Sequence, residues 1–438
     1  MRCLPALLAL SLTPSCIPRV TGVVRRPDAP LLTLAEKADR YARDLANHHL
    51  SPEGLLLYAG PTEARERGRP LPRERYGGLA DQAAWTGCLL ASEVFRHAAT
   101  GETEALGAAR RTARALAFLQ KVTGTPGYLA RSAYEGAPLD GRFRPGAPPL
   151  ERFAWHRDTS RDQYAMVLFG YATALARCED PELRAETASA AGAICDHIFE
   201  NGFEIREDGR RTTHGNLSGR ILGIVPNGVN AGIVLLAAKV AAVATGEERH
   251  LRRYEGLVRE GWPGRVRTGF FRILGTGNPN NDNMTLLCLD GLLSLEREER
   301  IRRGYLDALE KGWRLVRGTG NALFAAVVHR DLGARAEGAF DEAVESLRLF
   351  PAEKVRFATD NRDLLPALGR SFLPGRDLRP RTSRPVPVHR RTPGSFLWKE
   401  DPYVVVDSPN ARGEEEFSGV DYLLPYWMLR ASGLEAKE

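Results

Sequence analysis

The 438-residue chain has few cysteines, none of them in a CxxC pair, and it has no long tract of lysine or arginine. The missing CxxC pair argues against a structural zinc site, and the missing basic tract argues against a nucleic-acid surface. No phosphate loop, GxSxG elbow, HExxH helix or dinucleotide fingerprint occurs, so those classes of enzyme are not indicated. We therefore predict no metal, no cofactor and no nucleic-acid partner.

What the chain does contain is the composition of a globular protein, with 43% hydrophobic and 26% charged residues. Disorder would need low hydrophobicity together with a large net charge. The 61 basic and 55 acidic residues leave a formal charge of +6, which describes a mixed surface. The length permits two or three domains, or one large architecture.

The first sixteen residues have the form of an export signal. Arg2 precedes an apolar run of about ten residues, which is too short to span a bilayer. Cys16 follows a small residue, as at a bacterial lipoprotein cleavage site, although Thr13 and Pro14 depart from that pattern. We predict a signal peptide over 1–16 with lipidation at Cys16, a tether over 17–31, and a periplasmic or membrane-anchored location. An ordinary signal peptide cut nearby is the alternative.

An internal repeat organises the rest of the chain. Six segments share a start rich in Gly, Asn or Asp and continue as an apolar helix, which should be buried on every side. These segments begin near Tyr76, Thr159, Asn227, Asn281, Gly320 and Phe417. Five of them are followed by a charged amphipathic helix, at Glu102–Gln120, Pro181–Glu200, Glu247–Glu260, Glu298–Val316 and Arg335–Leu349. A charged helix at Leu32–His49 is the missing sixth partner.

Six buried inner helices and six outer helices, closed by pairing the termini, predict an all-α (α/α)6 toroid over residues 32–434, with minor strand pieces. An open helical array is the alternative, but solenoid repeats are usually shorter and more regular. The turns from inner to outer helices are short, whereas the connections back to the next inner helix are long. Since long connections in a compact domain are usually functional, we predict a deep pocket on their face.

The densest polar stretch is Phe153–Tyr164, at the start of the second inner helix. Asp158 and Asp162 are four residues apart, a spacing that would place both on one helix face. Two carboxylates in different environments are what hydrolysis of a glycosidic bond requires. Capping is the alternative for Asp162, which stands three residues after Thr159. Asp421, in the first turn of the last inner helix, is a third candidate carboxylate.

Further candidates surround these carboxylates. His156 and Tyr134 are candidate bases or proton donors, with ordinary aromatic packing as the alternative for Tyr134. The predicted substrate-binding residues are Trp155, Arg157, Arg161, Gln163, Arg131, His214, Asn230 and Asp282. The arginines, together with Arg220, favour an acidic sugar because a guanidinium pairs with a carboxylate. For the asparagines, capping and turns are the alternative.

With WHRDTSRDQY at the start of its second inner helix, the layout resembles the six-hairpin glycosidase superfamily, which includes unsaturated uronyl hydrolases. The resemblance covers Leu32–Leu434 and is architectural. It implies that Asp158 or Asp162 donates a proton to a sugar. We expect a glycoside hydrolase acting on a glycan or oligosaccharide, including glycans with uronic acids. The alternatives are a lyase or epimerase with Tyr134 or His156 as base, and a non-catalytic toroid that binds glycans or proteins.

Overall fold

The computed structural model describes residues 19–24, 32–62, 79–221, 224–272, 277–364 and 381–435. The predicted signal peptide and Cys16 lie outside these ranges, so export and lipidation stay predictions. Residues 19–24, predicted as part of a tether, run beside two strands. The Val23 amide donates to the Ala411 carbonyl at 3.0 Å, and the Ala358 amide donates to the Val23 carbonyl at 3.1 Å.

Twelve helices of the described chain pair into six hairpins. The inner helices are α2 (Gln82–Thr100), α4 (Arg161–Arg177), α6 (Gly228–Thr245), α9 (Pro279–Leu295), α11 (Ala322–Leu332) and α13 (Val420–Arg430). The outer helices are α1 (Leu34–His48), α3 (Thr103–Lys121), α5 (Pro181–Glu200), α7 (Glu248–Arg259), α10 (Glu299–Val316) and α12 (Ala339–Arg348). A short helix, α8 (Trp262–Val266), lies between α7 and α9. The predicted (α/α)6 toroid is therefore confirmed.

The inner helices pack closely because small residues line their contacts. Helices α2 and α4 meet at Gly87 and Gly170, where a Cβ added to Gly87 would lie 2.4 Å from the Met166 carbonyl oxygen. Helix α4 also packs against α9 across the ring, so side chains fill the axis. By length and composition α6 could cross a bilayer, but 72% of it is buried among the other helices, as in a core helix.

The ring closes through α13. This helix packs against α2 on one side and α11 on the other, and α1 is its outer partner. The Tyr422 hydroxyl donates to the Leu34 carbonyl at 2.8 Å, and the rings of Tyr41 and Tyr422 lie 5.4 Å apart. The first helix of the repeat thus completes the last hairpin, as the sequence predicts.

Helix α1 is also fastened to α12. The Lys37 amine donates to three carbonyl oxygens at the C-terminal end of α12, those of Leu347 and Arg348 in its last turn and of Phe350 just beyond it, at 2.9, 3.0 and 2.8 Å. These are carbonyl groups that a helix end leaves without a partner. Lys37 therefore supplies a tertiary cap.

Glycine sets two of the short turns between inner and outer helices. Gly101 and Gly246 adopt left-handed φ angles of 71° and 68° at the ends of α2 and α6. This conformation suits glycine and ends a helix abruptly. The four described cysteines, Cys88, Cys178, Cys195 and Cys288, are buried free thiols.

The long connections carry antiparallel strands. One sheet has the order β1 (Ala59–Pro61), β10 (Val406–Phe417), β9 (Val355–Asp360), and a second has the order β2 (Ala133–Glu135), β4 (Phe153–His156), β3 (Phe143–Pro145). Two hairpins pair β5 (Glu204–Glu207) with β6 (Arg210–Asn216) and β7 (Arg220–Ile221) with β8 (Val225–Pro226). The sequence also suggests a strand-like piece at Phe396–Lys399, and this is wrong, because Leu397–Lys399 forms a 3-10 turn.

Replacing Lys37 by Met should lower the free energy of unfolding by about 2–4 kcal/mol, because carbonyl groups inside the protein would lose their donor. Urea unfolding followed by circular dichroism measures the change. The matched control is Lys121→Met, which removes an exposed amine at the end of α3 and should cost less than about 0.5 kcal/mol. Equal stability of the two variants would contradict the capping role of Lys37.

Candidate functional site

The six inner helices begin on the face of the ring that carries the long connections and their strands. We call this face the mouth. The residues that immediately precede the inner helices are Asp81, Ser160, Asn227, Asn278, Asn321 and Gly419. Helix N-termini favour negative charge, so carboxylates and ligand oxygens are stabilised there.

Two carboxylates at the starts of α2 and α4 are linked through one guanidinium. Arg131 donates from Nη2 to Asp81 Oδ1 at 2.6 Å and from Nη1 to Ser160 Oγ at 3.0 Å. The Ser160 hydroxyl donates in turn to Asp162 Oδ1. Gln163 Nε2 gives Asp81 Oδ1 a second hydrogen bond at 2.8 Å. We call these five residues the Asp81 corner.

The two carboxylates of the Asp81 corner have unlike partners. Asp81 has a guanidinium and an amide, whereas Asp162 has a hydroxyl. Ser160 caps no backbone amide with its side chain, so simple helix capping does not account for its bond to Asp162. The Asp81 side chain is 20% exposed, and Asp162 is half-buried, so a ligand can reach both. Such a pair can divide the work of general acid and general base.

An aromatic side chain adjoins this pair. Burial raises the pKa of Tyr58 to about 12, and the Asp81 and Glu415 carboxylates push it in the same direction. Tyr58 therefore lies within electrostatic reach of Asp81 while remaining partly exposed. A neutral, half-buried phenol suits contact with a sugar face.

Asp158 does not share a helix face with Asp162, and that prediction is wrong. Helix α4 begins at Arg161, and Asp158 precedes it with a left-handed φ of 50°. Asp158 Oδ1 accepts from the Thr213 amide at 2.7 Å. Partial burial raises the pKa of Asp158, but the hydrogen bonds from Thr213 outweigh it and the pKa is lowered. Asp158 therefore joins the β5–β6 hairpin to the start of α4.

Glu207 holds the same junction from the hairpin side. It accepts from the Asp158 amide at 3.0 Å, from Arg157 Nε at 2.6 Å and from the Tyr128 hydroxyl at 2.8 Å. The predicted substrate-binding Arg157 is thus engaged in an ion pair. His214 lies exposed on β6, next to Thr213.

Arg161 and Asn230 link the starts of α4 and α6. Arg161 Nη1 donates to Asn230 Oδ1 at 2.9 Å. Asn230 Nδ2 donates to the carbonyls of Asn216 and Ser218 at 3.0 and 2.9 Å. Asn230 is buried, and these bonds give it a positioning role.

Tyr134 and Trp155 are packing residues in the second sheet. The Tyr134 hydroxyl donates to the Ala137 carbonyl and accepts from the Leu139 amide, both at 2.7 Å. Trp155 is 4% exposed, and its Nε1 donates to the Pro145 carbonyl at 3.2 Å. These contacts leave no free proton donor on Tyr134 and no open ring face on Trp155, so we remove both from the site.

His156 belongs to the same packed sheet. Its ring lies edge-on to Phe143 with centroids 4.9 Å apart, and its Nδ1 lies 2.7 Å from the Arg157 carbonyl oxygen. Burial lowers the pKa of His156, which favours the neutral ring. The His156 carbonyl accepts from the Arg131 amide at 3.2 Å, but the hydrogen bond of its ring goes to the Arg157 carbonyl and not to a side chain of the Asp81 corner. The geometry therefore does not support the predicted role of His156 as a catalytic base.

Asp421 is a structural carboxylate. Its Oδ1 and Oδ2 lie 2.9 and 2.8 Å from Lys354 Nζ, and both side chains are 0% exposed. The Leu397 amide donates to Oδ2 at 2.7 Å. Burial raises the pKa of Asp421, against the opposing charge of Lys354. A ligand cannot reach this carboxylate without unfolding its surroundings, so the predicted catalytic role is withdrawn.

Asp421→Asn should lower the free energy of unfolding by about 3–5 kcal/mol, because it leaves a buried ammonium without its counter-charge. Denaturant unfolding measures the loss. Asp307→Asn, on the exposed face of outer helix α10, is the matched control and should change stability by at most about 0.5 kcal/mol. The double variant Lys354→Met with Asp421→Leu should recover much of the loss, and a failure of Asp421→Asn to destabilise would refute the structural role.

Asp282 lies away from the Asp81 corner, in a cavity of about 270 Å³ at the starts of α9 and α11. Arg272 donates from Nη1 and Nη2 to its two carboxylate oxygens at 2.9 and 2.8 Å. Burial raises the pKa of Asp282, while the Arg272 charge opposes that shift. We call this space the Arg381 cavity. Its charged lining residues are Arg272, Asp282, Arg381, Arg391, Glu400 and Asp401.

The structure therefore sorts the predicted residues into three groups. Arg131, Asp162 and Gln163 meet at the Asp81 corner, and Asp282 lies in the Arg381 cavity. His214 is exposed on β6, and the other predicted residues of the described ranges position loops or pack the core. Within the described ranges, no group of three or more His, Cys, Asp and Glu side chains is arranged to hold a metal ion.

No protein-family model and no curated protein sequence matches the chain. The helical hairpins form the (α/α)6 toroid that the sequence predicts. Among solved structures, the chain is similar to an endoglucanase from the termite Nasutitermes takasagoensis, with 13% identity, a TM-score of 0.49, and 92% of this chain and 100% of that chain covered.

The chain is also similar to a family 76 glycoside hydrolase (mannosidase) from Bacteroides thetaiotaomicron, with 10% identity, a TM-score of 0.46 and coverage of 91% and 98%. A cellobiose 2-epimerase from Spirochaeta thermophila shows 13% identity, a TM-score of 0.38 and coverage of 92% and 98%. These similarities concern architecture, and no residue role is carried over from them.

Proposed function

We propose that the protein is a carbohydrate-active enzyme that hydrolyses glycosidic bonds at the Asp81 corner. The observation that carries the proposal is the linkage of two reachable carboxylates through Arg131 and Ser160 at the mouth of the ring. Glycosidic bonds are commonly hydrolysed by two carboxyl groups, one acting as acid and the other as base or nucleophile. The half-buried Tyr58 lies within electrostatic reach of Asp81.

The two carboxylates suit different roles. Asp81 lies beside a guanidinium and accepts a second bond from Gln163, which fixes its direction. It is the candidate base that orients water. Asp162 has a hydroxyl partner and lies in the first turn of α4, from which it is the candidate acid toward the leaving oxygen. Asp158 acts on the corner indirectly, by holding the loop before α4.

The proposal keeps uronic-acid-containing glycans as one substrate class. Arg131 and Arg157 are already paired with Asp81 and Glu207, so they give this preference less support than the sequence suggested. Arg161 hydrogen-bonds an amide rather than a carboxylate, and Arg220 is exposed on β7. These two guanidinium groups are the support for an anionic substituent on the substrate.

Asp162→Asn should lower kcat by a factor of about 10²–10⁴ while the protein stays folded, because general acid catalysis contributes that much. Asp81→Asn should lower kcat comparably. The assay is release of reducing ends from a panel of neutral and uronic-acid-containing oligosaccharides, with circular dichroism as the check on folding.

Asp307→Asn is the matched control, since it makes the same chemical change on the outer wall of the ring. Undiminished hydrolysis by both Asp162→Asn and Asp81→Asn would rule out the carboxylate pair. A product that absorbs in the ultraviolet through a new double bond would indicate a lyase instead. Glycan binding with no product from any oligosaccharide would indicate a non-catalytic binding toroid.

A further inference from the structure

We infer that the Arg381 cavity is a binding site for one uncharged sugar ring. The inference rests on the proposed function, because it assigns part of the glycan-binding surface at the same mouth. It adds to that proposal because it assigns an uncharged sugar ring to this cavity, whereas the proposed function keeps uronic-acid-containing glycans as one substrate class. Its support comes from the size of the cavity, its balance of charge and the apolar surface beside its polar groups.

The volume sets the size of the ligand. The cavity holds about 270 Å³, just below the range of about 300–1,000 Å³ that drug-sized ligands occupy. It therefore accommodates a single ring. Asp282, Asn321 and Tyr403 line it, so it opens between α9, α11 and the connection that precedes β10.

The charges on the lining cancel. Arg272 pairs with Asp282, and Arg381 pairs with Asp401. Arg391 donates to the carbonyl of Val386 at 2.8 Å and to that of Thr319, while Glu400 supplies a third carboxylate. Among the described lining residues, three guanidinium groups thus stand against three carboxylates.

This balance selects against a charged ligand. A uronate in the cavity would add one charge without a counter-charge, and burying such a charge costs free energy. A neutral ring adds none. Its hydroxyl groups donate to carboxylate oxygens and accept from guanidinium groups, and the paired lining presents both kinds of partner.

The lining also has an apolar part. The half-buried ring of Tyr403, together with Leu315 and Pro402, contributes carbon surface next to the paired charges. A sugar ring presents C–H groups on its faces and hydroxyl groups on its rim. Carbon surface beside convergent polar groups is the usual lining of a small-molecule site.

Calorimetry on the full chain tests the inference with four probes: the methyl glycosides of glucose, mannose and galactose, and methyl glucuronide. At least one neutral glycoside should bind at least about tenfold more tightly than methyl glucuronide. Asp401→Asn and Glu400→Gln each remove one carboxylate and leave a net positive cavity. Either variant should shift the ratio of the two affinities toward methyl glucuronide by about tenfold or more.

Asp307→Asn, on the outer wall, is the matched control and should leave the ratio unchanged. A thermal melt checks that each carboxylate variant is folded. Two such variants are used so that the test still stands on one of them if the other is unfolded. Three results would each overturn the inference. The native chain could bind methyl glucuronide more tightly than every neutral glycoside, or it could bind none of the three neutral glycosides. The folded carboxylate variants could also leave the ratio of the two affinities unchanged.

Calorimetry also separates this inference from the proposed function. Asp162→Asn should bind the neutral glycoside as the native chain does, whether or not it hydrolyses anything. Binding with the expected selectivity but no hydrolysis by the native chain would support the cavity and count against the enzyme. Hydrolysis that depends on Asp162, together with an affinity ratio that Asp401→Asn and Glu400→Gln leave unchanged, would support the enzyme and count against the cavity as a sugar site.

Discussion

Ring closure depends on one buried ion pair, between Asp421 at the start of α13 and Lys354 just before β9. The pair, completed by the Leu397 amide, fastens the last inner helix to the sheet and to the connection that lines the Arg381 cavity. Next to it, α13 approaches α1 so closely that a Cβ on Gly419 would lie 2.1 Å from the Tyr41 ring. Because neither charge can reach water, the pair tolerates little displacement, and the seating of α13 is fixed along with it.

A closed ring of hairpins restricts where chemistry can occur. All inner helices start at the mouth, so their first turns gather side chains that are far apart in sequence, such as Asp81 and Asp162. The contact of α4 with α9 fills the axis, and ligands must therefore bind at the rim of the mouth. The strands in the long connections act as walls, and the Glu207 and Asp158 contacts show how one wall is fastened to an inner helix.

The sequence predicts the outer helices from their amphipathic period and the inner helices from apolar segments, and each segment carries its signal by itself. It predicts β10 poorly, since VDSPNARGEEEF is polar and contains Pro and Gly, and only pairing with β9 and β1 makes it a strand. The sequence pattern correctly predicts that Asp421 lies in the first turn of a helix. It does not predict the ion pair with Lys354, because that partner is 67 residues away in the chain. The Asp158 prediction failed because the helix begins only at Arg161 and Asp158 precedes it with a left-handed φ, bonded to the β5–β6 hairpin. Asp81 was open to prediction, as a polar residue directly before an apolar helix.

The two candidate places at the mouth lie at the starts of different helices. The Arg381 cavity, at the starts of α9 and α11, has room for one ring, while the Asp81 corner lies at the starts of α2 and α4. Helix α4 packs against both α2 and α9, so both places are built on one packed set of inner helices. A neutral ring in the cavity and an acidic ring near Arg161 would be different units of one bound oligosaccharide. The two proposals about substrate charge are therefore compatible.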